Sequence, residues 1–367
     1  MTPLADILAR RIVTDGPMSL ADYMADCLLH PQHGYYATRD PFGTAGDFTT
    51  APEISQIFGE MLGLCLAQCW MDQGRPDPFT LAEIGPGRGT LMADICRTIR
   101  TVPGMCDAAH VHLVEASAPL RARQATTLAA QNATWHDDVT TLPQAPLFLV
   151  ANEFFDALPI RQFERKQNGW AERQVGLGGD PLTLGLGPVT QYGALAHRLH
   201  DTHPGDVVEI CPALPAIGQE IAARISAHGG VGLILDYGGW HSLGDTFQAL
   251  KAHAPVDPFA APGNADLTAH VDFEALSNAF TRHGAISTAM TSQGVFLERL
   301  GITERAQQLA QKLTGKALES HIAAHRRLTH PSEMGELFKA IACHPAGLPP
   351  PPGLDIPDVD DAESPDA

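Results

Sequence analysis

A glycine-rich turn with an acid in front of it is the sequence feature with the clearest chemistry. The turn reads Glu83-Ile84-Gly85-Pro86-Gly87-Arg88-Gly89 and follows an apolar, strand-like run. Bare backbone in such a turn can lie directly against a ligand. A dinucleotide-binding turn has the spacing G-x-G-x-x-G; counted from Gly85, its third glycine position is Thr90. Counted from Gly87, that position is Met92. A phosphate-binding loop would need G-K-S or G-K-T, which this turn lacks.

The acid before the turn indicates a cationic ligand. A carboxylate at Glu83 repels pyrophosphate but attracts a ligand that carries an ammonium and a sulfonium, and S-adenosylmethionine is such a ligand. The next strand ends in Glu115, where a carboxylate can accept hydrogen bonds from both hydroxyls of a ribose. Each acid alone could be a solvated strand end, but acids after consecutive strands beside a glycine turn favour a binding site. We predict donor contacts from Glu83, Gly85, Pro86, Gly87, Gly89, Glu115 and, at the adenine amino group, Asp137 or Asp138.

A second group of chemically capable residues follows the fourth predicted strand, at Asn152-Glu153-Phe154-Phe155-Asp156. Methyl transfer is an in-line displacement on a cation, so the protein has to align the nucleophile and supply negative potential around it. Two carboxylates three residues apart match a guanidinium, and the phenylalanines between them offer an aromatic face. We therefore predict Glu153, Asp156 and Asn152 as catalytic residues, and Phe154 and Phe155 as acceptor-binding residues. The alternative is that the two acids cap a helix and the phenylalanines belong to the core.

The elements around these residues alternate between strand and helix, which predicts an α/β fold with a doubly wound, mostly parallel sheet. The strand-like runs are Phe79–Ile84, Val111–Val114, Thr134–His136, Leu147–Ala151 and Val231–Leu235, and the helical runs between them are Leu91–Ile99 and Leu120–Ala130. Residues at about 160–212 break the alternation and are predicted to form an inserted region. Gly294–Glu298 is predicted as a last strand, and the apolar spacing from Glu333 to Cys343 predicts a helix.

The two ends of the chain differ from this central part. Residues 1–75 are predicted to form a helical extension with a long loop, in which Thr50 and Glu53 have the capping-box spacing at the start of a long amphipathic helix. Residues 76–344 are predicted to form the main domain. The segment 345–367 has four consecutive prolines, six acids and no Lys or Arg. Such a composition buries too little apolar surface to fold alone, so we expect it to be mobile.

Taken together, the motifs resemble the MidA-like methyltransferases, a family that includes a mitochondrial complex I assembly factor which dimethylates an arginine. They are Gly34-Tyr35-Tyr36, Gly46-Asp47-Phe48, Thr50-Ala51-Pro52-Glu53-Ile54-Ser55, the turn at 83–89, the segment 152–159, Asp236-Tyr237-Gly238, and Leu328-Thr329-His330-Pro331 with Met334-Gly335.

The resemblance implies a class I methyltransferase fold, S-adenosylmethionine as donor and a protein arginine as acceptor, on a subunit of a complex I-type NADH dehydrogenase. It implies that Gly46, Asp47 and Phe48 form a lid that closes over the donor or the acceptor. Asp236 and Tyr237 follow a strand and are candidates for lining the acceptor pocket, although Tyr237 is equally compatible with a packed core position.

Composition and motifs argue against several other classes of protein. The net charge of -18 disfavours a nucleic-acid substrate, and Asn152-Glu153-Phe154-Phe155 lacks the prolines of the Asn-Pro-Pro-Tyr motif of enzymes that methylate base amino groups. A small-molecule acceptor and a donor-binding assembly protein without turnover remain open alternatives. The histidines at 197, 200 and 203 and at 321, 325 and 330 lack the pattern of a zinc peptidase, so no metal is predicted. The N-terminus shows no targeting pattern and no apolar run is long enough to enter a membrane, which predicts a cytoplasmic protein.

Overall fold

The computed structural model describes residues 2–38, 49–178 and 182–357. The helices are α1 (Pro3–Asp15), α2 (Leu20–Leu29), α3 (Tyr35–Thr38), α4 (Ala51–Ile54), α5 (Gln56–Asp72), α6 (Thr90–Ile99), α7 (Met105–Ala108), α8 (Ala118–Thr127), α9 (Leu214–His228), α10 (Phe273–Thr281), α11 (Gln293–Arg299), α12 (Ile302–Ala310) and α13 (Gly315–Thr329). The strands are β1 (Met18–Ser19), β2 (Phe79–Ile84), β3 (Ala109–Val114), β4 (Thr134–His136), β5 (Leu147–Asn152), β6 (Arg161–Lys166), β7 (Gly169–Leu177), β8 (Leu182–Thr190), β9 (Val207–Ile210), β10 (Gly230–Gly239), β11 (Gln248–Lys251), β12 (Ala254–Val256), β13 (Asp266–Thr268), β14 (Val271–Asp272), β15 (Ala285–Ser287), β16 (Thr291–Ser292) and β17 (Phe338–Pro345).

The chain divides into two compact units. The first comprises Met1–Phe48, Asp156–Leu214 and His241–Asp272, and the second comprises Thr49–Phe155, Pro215–Trp240 and Phe273–Ala367. The first unit thus contains the region proposed from the sequence as an insertion, together with the N-terminal helices and a further segment at 241–272. Helices α4 and α5, which the sequence assigns to the N-terminal extension, lie in the second unit.

The second unit is built on a mixed sheet with the strand order β15-β17-β10-β5-β2-β3-β4, and β16 pairs with β17. Strands β10, β5, β2, β3 and β4 are parallel, and β17 runs antiparallel between β10 and β15. Every residue of β2 and β5 is buried, as expected for central strands with helices on both faces. The predicted doubly wound sheet is confirmed. Because these strands are parallel, the carboxyl ends of β2, β3, β5 and β10 lie at one edge of the sheet.

Helices α5 and α6 pack closely over this sheet because α5 carries glycines at the contact. A Cβ placed on Gly59 would lie 2.5 Å from the Asp94 Cβ, and one on Gly63 would lie 2.9 Å from the Thr98 Cβ.

The predicted capping box at the start of α5 is wrong. The Thr50 side chain makes no capping hydrogen bond, and the extended backbone of Ser55 separates α4 from α5, where the Ser55 hydroxyl accepts a bond from the Ile57 N–H.

The first unit contains two small sheets. One has the order β1-β7-β6-β9, with β8 paired to β7, and the other has the order β12-β11-β13. Its apolar core is formed by α1, α2 and the inner faces of these strands, and Tyr23, Met24 and Tyr35 are fully buried there. The Ser19 hydroxyl accepts a hydrogen bond from the Asp22 N–H and so caps the start of α2.

The C-terminal elements of the second unit differ from the predictions. Gly294–Glu298 lies inside helix α11 and is not a strand. The predicted helix at 333–343 is largely strand β17, which pairs with β10 on one side and β15 on the other. The expectation of a mobile tail from Pro345 is wrong for residues 346–357. Leu354 packs into the core of the second unit, where it is 4% exposed, and Asp355 pairs with Arg299 at 2.6 Å.

Within the described ranges, no helix is long and apolar enough to span a membrane.

Candidate active site

The glycine-rich turn connects β2 to α6 in the second unit. Gly85, Gly87 and Gly89 have φ values of +64°, +51° and +81°, which residues with a Cβ rarely adopt. Gly89 is also the N-cap of α6. A Cβ on Gly85 would lie 2.8 Å from Cδ2 of Phe154, so the turn approaches the end of β5 more closely than a larger residue would allow. The predicted backbone cradle is therefore present at the carboxyl edge of the sheet.

Glu83 lies at the floor of this cradle with an unusual electrostatic environment. Its side chain is 3% exposed, and among the described residues Oε2 has no hydrogen-bond partner. Burial raises the pKa of Glu83 to about 8, and the nearby carboxylates of Glu115 and Asp94 add to the increase, while a hydrogen bond with the Met92 backbone opposes it. A buried carboxyl oxygen that lacks a hydrogen-bond partner can bind a cationic group of a ligand.

The raised pKa of Glu83 predicts a pH-dependent free energy of unfolding. Because the folded protein favours the protonated carboxyl, the associated stabilisation is complete below the unfolded pKa of 4.5 and is lost as the pH rises to about 8, at no more than about 1.4 kcal/mol per pH unit. Glu83→Gln removes this dependence. We expect the donor-free variant to melt at a higher temperature than the parent protein at pH 9, and the difference to shrink as the pH falls to 5. Parallel melting curves at both pH values would contradict this assignment.

Glu115 directly follows β3, and its carboxylate is linked to the glycine turn through Gln124. Its Oε1 accepts from the Ser117 N–H at 2.8 Å and its Oε2 from the Gln124 amide at 3.0 Å. The same Gln124 amide nitrogen donates to the Gly87 carbonyl at 2.8 Å. Burial raises the pKa of Glu115 despite these bonds. Gln124, which the sequence did not single out, therefore links the glycine turn to Glu115. Glu83 lies at the start of the same turn.

The two acids after β4 have other partners. Asp137 is 88% exposed and pairs with Arg121 at 2.6 Å. Asp138 caps the short turn that follows it by accepting from the Thr140 N–H at 2.8 Å. Contact of either residue with an adenine amino group stays a prediction.

Glu153 follows β5 with a φ of +52°, a conformation that costs energy for a residue with a Cβ and that is enriched at functional sites. Its Oε1 accepts from the Ala51 N–H at 3.0 Å and from the Asn152 amide at 3.0 Å. The Glu153 N–H donates to the Leu235 carbonyl at 2.9 Å. The backbone and the carboxylate are thus both held in place.

Asp236, within β10, fixes the turn that carries Glu153. It is fully buried, and Oδ2 accepts from the N–H groups of Phe154 at 3.1 Å and Phe155 at 2.8 Å, while Oδ1 accepts from the Tyr237 N–H at 2.9 Å. The structure thus shows that Asp236 holds the backbone of this turn, and its contact with the acceptor stays a prediction. Tyr237 is 8% exposed and packs edge-on against Phe338, with the ring centroids 5.4 Å apart.

Glu53 is a member of this arrangement that sequence reasoning treated only as a helix cap. Its Oε1 accepts from the Thr90 hydroxyl at 2.6 Å, and its Oε2 lies 3.9 Å from the Arg88 guanidinium. Because Glu53 lies on α4, whose first N–H donates to Glu153, this short helix connects the glycine turn to the Glu153 carboxylate. The motif Thr50–Ser55, which helped to carry the family resemblance, was the available signal.

The remaining candidates lie in the first unit or outside the described residues. Asp156 belongs to the first unit, is 6% exposed and accepts a backbone hydrogen bond from Ala269. In that unit the Tyr36 hydroxyl donates to Asp266 at 3.0 Å. Gly46, Asp47 and Phe48 lie outside the described ranges. Among the residues that the structure describes, no group of three or more His, Cys, Asp or Glu side chains could hold a metal.

Comparison with known proteins gives concordant matches. Residues 61–291 match the model of a family described as "Putative S-adenosyl-L-methionine-dependent methyltransferase". The chain is 36% identical to human "Protein arginine methyltransferase NDUFAF7, mitochondrial" and 35% identical to its Bos taurus counterpart, in each case over 94% of this chain and 84% of the relative. The Drosophila melanogaster homologue is 34% identical over 94% of this chain and 85% of its own length.

A solved structure is similar over nearly the whole chain. It is a COG1565 superfamily member and likely methyl transferase from Burkholderia thailandensis bound to S-adenosyl-homocysteine, with a TM-score of 0.82, 30% identity, and coverage of 95% of this chain and 93% of that one. A native structure from the same organism gives a TM-score of 0.80 at 29% identity, with coverage of 95% of this chain and 93% of that one.

The cytoplasmic location expected from the sequence is contradicted by the curated relatives, which are named mitochondrial proteins.

Proposed function

We propose that this chain, which belongs to the family of S-adenosyl-L-methionine-dependent methyltransferases, transfers a methyl group to an arginine side chain of a protein. Family membership confirms the class I methyltransferase fold, the donor and the methyltransferase activity that the sequence motifs predict. The choice of acceptor is our proposal. It is supported by the geometry of Glu153 and by the relatives that are named protein arginine methyltransferases.

The residues around the glycine turn fit the donor. The turn offers bare backbone at Gly85, Gly87 and Gly89, and Glu83 offers a buried oxygen without a partner among the described residues. We infer that Glu83 holds the cationic methionyl part and that Glu115, beside the turn, holds the ribose. When bound, the donor supplies a methyl group that is activated by a sulfonium.

The observation that carries the acceptor assignment is the fixed carboxylate of Glu153. The guanidinium group of arginine is charged at neutral pH, so an anion can orient it. It must also release a proton as it becomes methylated. Glu153 is held by the Ala51 N–H and the Asn152 amide beside an aromatic side chain, Phe154, at the same sheet edge as the glycine turn. We infer that Glu153 orients the guanidinium and accepts its proton. Asn152 positions this carboxylate, and Phe154 packs against the guanidinium face.

Further parts of the proposal rest on the sequence alone. From the sequence we keep the predictions that Asp156 assists Glu153 and that Phe155 and Tyr237 line the acceptor pocket. Gly46, Asp47 and Phe48, which lie outside the described residues, keep their predicted role as a lid that excludes water. The polypeptide acceptor is a subunit of a complex I-type NADH dehydrogenase, which is supported by the resemblance to the MidA-like methyltransferases. The net charge of -18 favours a basic polypeptide and disfavours nucleic acid.

Donor-dependent labelling tests the proposed acceptor class. Purified protein is incubated with methyl-labelled S-adenosylmethionine and an extract of cells that lack this chain, and the label is separated into protein, nucleic-acid and small-molecule fractions. We expect labelled polypeptide. Label in nucleic acid or in small molecules would support the corresponding alternative acceptor. Tight donor binding with no label in any fraction would support a donor-binding assembly protein without turnover.

A further inference from the structure

A cavity that the proposed function does not use lies in the second unit between α11, the end of α13 and the turn that leads into β17. Its volume is about 450 Å³, and its walls include Gly294, Val295, Glu298, Thr329, Pro331 and Glu336. Part of the motif Leu328–Pro331 with Met334-Gly335 forms this cavity. We call it the flanking cavity.

Close backbone packing builds the flanking cavity. A Cβ on Gly335 would lie 2.0 Å from the Thr329 carbonyl oxygen, and one on Gly294 would lie 2.4 Å from the same oxygen. Larger residues at either position would push α11 away from the turn. The buried Gln293 amide also donates to the Leu328 carbonyl at 2.9 Å, which joins α11 to the end of α13. The walls are therefore fixed by the fold.

Strand register places this cavity near Glu153. In the sheet, Lys339 of β17 lies between Asp236 of β10 and Ser292 of β16. Ser292 is a wall residue of the flanking cavity, and Asp236 holds the turn that carries Glu153. Two strand spacings separate Asp236 from Ser292, a distance of about 10 Å. An extended polypeptide covers about 10 Å in three residues.

The charges around the flanking cavity favour a basic occupant. The cations at its walls are already bound. Arg299 donates to Asp355 at 2.6 Å and to the Gly353 carbonyl at 3.2 Å, and Lys339 donates to the wall residue Glu336 at 2.7 Å. The carboxylate of Glu298 is 44% exposed, accepts from the Thr303 hydroxyl at 2.8 Å and lies 3.7 Å from His325, which is cationic only when protonated.

The wall shape favours a long side chain. Val295 is 45% exposed beside the glycine and proline walls, so the cavity offers apolar surface behind an acidic rim. Lysine and arginine side chains combine an apolar stem with a cationic head and match both features.

We propose that the flanking cavity binds a lysine or arginine side chain of the acceptor polypeptide, about three residues away from the arginine that is methylated. The inference rests on the proposed function. The stem of the side chain packs on Val295 and Pro331, and its cationic head meets Glu298. The cavity thus favours those arginines of the acceptor that have a basic residue at this distance. Glu153 and the glycine turn keep the roles proposed above.

The test uses acceptor peptides and charge-reversal variants. Short synthetic peptides are taken from the acceptor found by labelling, with the flanking basic residue kept or replaced by glutamate. We expect the replacement and Glu298→Lys each to raise KM about tenfold with kcat within about twofold, because the contact positions the peptide without touching the reacting atoms. Val295→Trp, which fills the cavity, should act in the same direction. Glu319→Lys makes the same charge change on an exposed position of α13 and should have no effect.

Anisotropy of the labelled peptide, measured with the protein saturated with S-adenosyl-homocysteine, reports peptide affinity without turnover. Calorimetry with S-adenosyl-homocysteine and thermal melting check that the variants are folded and bind the donor product. Equal peptide affinities for Glu298→Lys and Glu319→Lys overturn the inference, as does an acceptor without a basic residue at that spacing. Absence of arginine methylation by the parent protein overturns the proposed function instead, so the two failures are distinguishable.

Discussion

Glu153→Gln is expected to reduce methyl transfer at least about tenfold while the affinity for the donor stays nearly unchanged. Glutamine has the same shape, and its carbonyl oxygen can still accept from the Ala51 N–H and the Asn152 amide, which bond to Glu153 in the structure. The substitution removes the negative charge and the group that takes the guanidinium proton. The donor contacts, at Glu83, the glycine turn and Glu115, keep their charges.

Initial rates with a labelled acceptor and calorimetry with S-adenosyl-homocysteine measure the two effects separately. Glu319→Gln is the matched control, because it makes the same chemical change at an exposed position on α13. If Glu153→Gln turns over at the parent rate, Glu153 has no part in the mechanism. If it loses donor binding as well, Glu153 supports the donor site rather than the acceptor.

Gly87→Val is expected to abolish donor binding. Gly87 is buried at a φ of +51°, and a β-branched side chain there costs roughly 1–3 kcal/mol of strain while it also occupies the bare backbone of the turn. The change would further disturb the Gly87 carbonyl, which accepts from Gln124, the residue bonded to Glu115. Calorimetry with S-adenosyl-homocysteine should therefore show no binding heat.

Gly74→Val is the control for Gly87→Val, because it strains the backbone without changing the donor site. Gly74 has a φ of +80°, and no atom lies within 4 Å of a Cβ built on it, so its substitution strains the backbone at a position outside the glycine turn. We expect this control to bind the donor product normally. If Gly87→Val fails to fold by circular dichroism, Gly87→Ala provides the test and should weaken binding at least about tenfold. Parent-like binding by either Gly87 variant would place the donor elsewhere.

The sequence predicts the centre of the sheet and the donor turn well because their signals are local. Strand β2, the glycine turn and helix α6 are consecutive in the chain, and each has a distinct pattern of apolar residues or glycines. The sequence predicts a helix where strand β17 lies, because Met334, Phe338 and Ile341 have helical spacing. Its pairing with β10 and β15 determines the observed conformation, and long-range pairing cannot be read from spacing.

The parts of the site that the sequence did not predict depend on distant partners. Glu53 bonds to Thr90 and Gln124 bonds to Glu115, and no motif indicates that the members of either pair lie close together. The positive φ of Glu153 is imposed by surrounding bonds, not by its residue type. The two Asp236 oxygens accept from three backbone N–H groups, two of which lie on the distant segment that follows β5. Composition likewise predicted a mobile segment at residues 346–357, where Leu354 in fact packs into the core.

Mass spectrometry of arginine methylation in cells with this chain, without it, and with the Glu153→Gln variant tests the central claim most directly. We predict at least one protein arginine that is methylated only in cells with the parent chain, and that stays unmethylated with the Glu153→Gln variant at equal protein level. Identical arginine methylation in all three cell lines, together with donor turnover by the purified protein on another class of molecule, would contradict it.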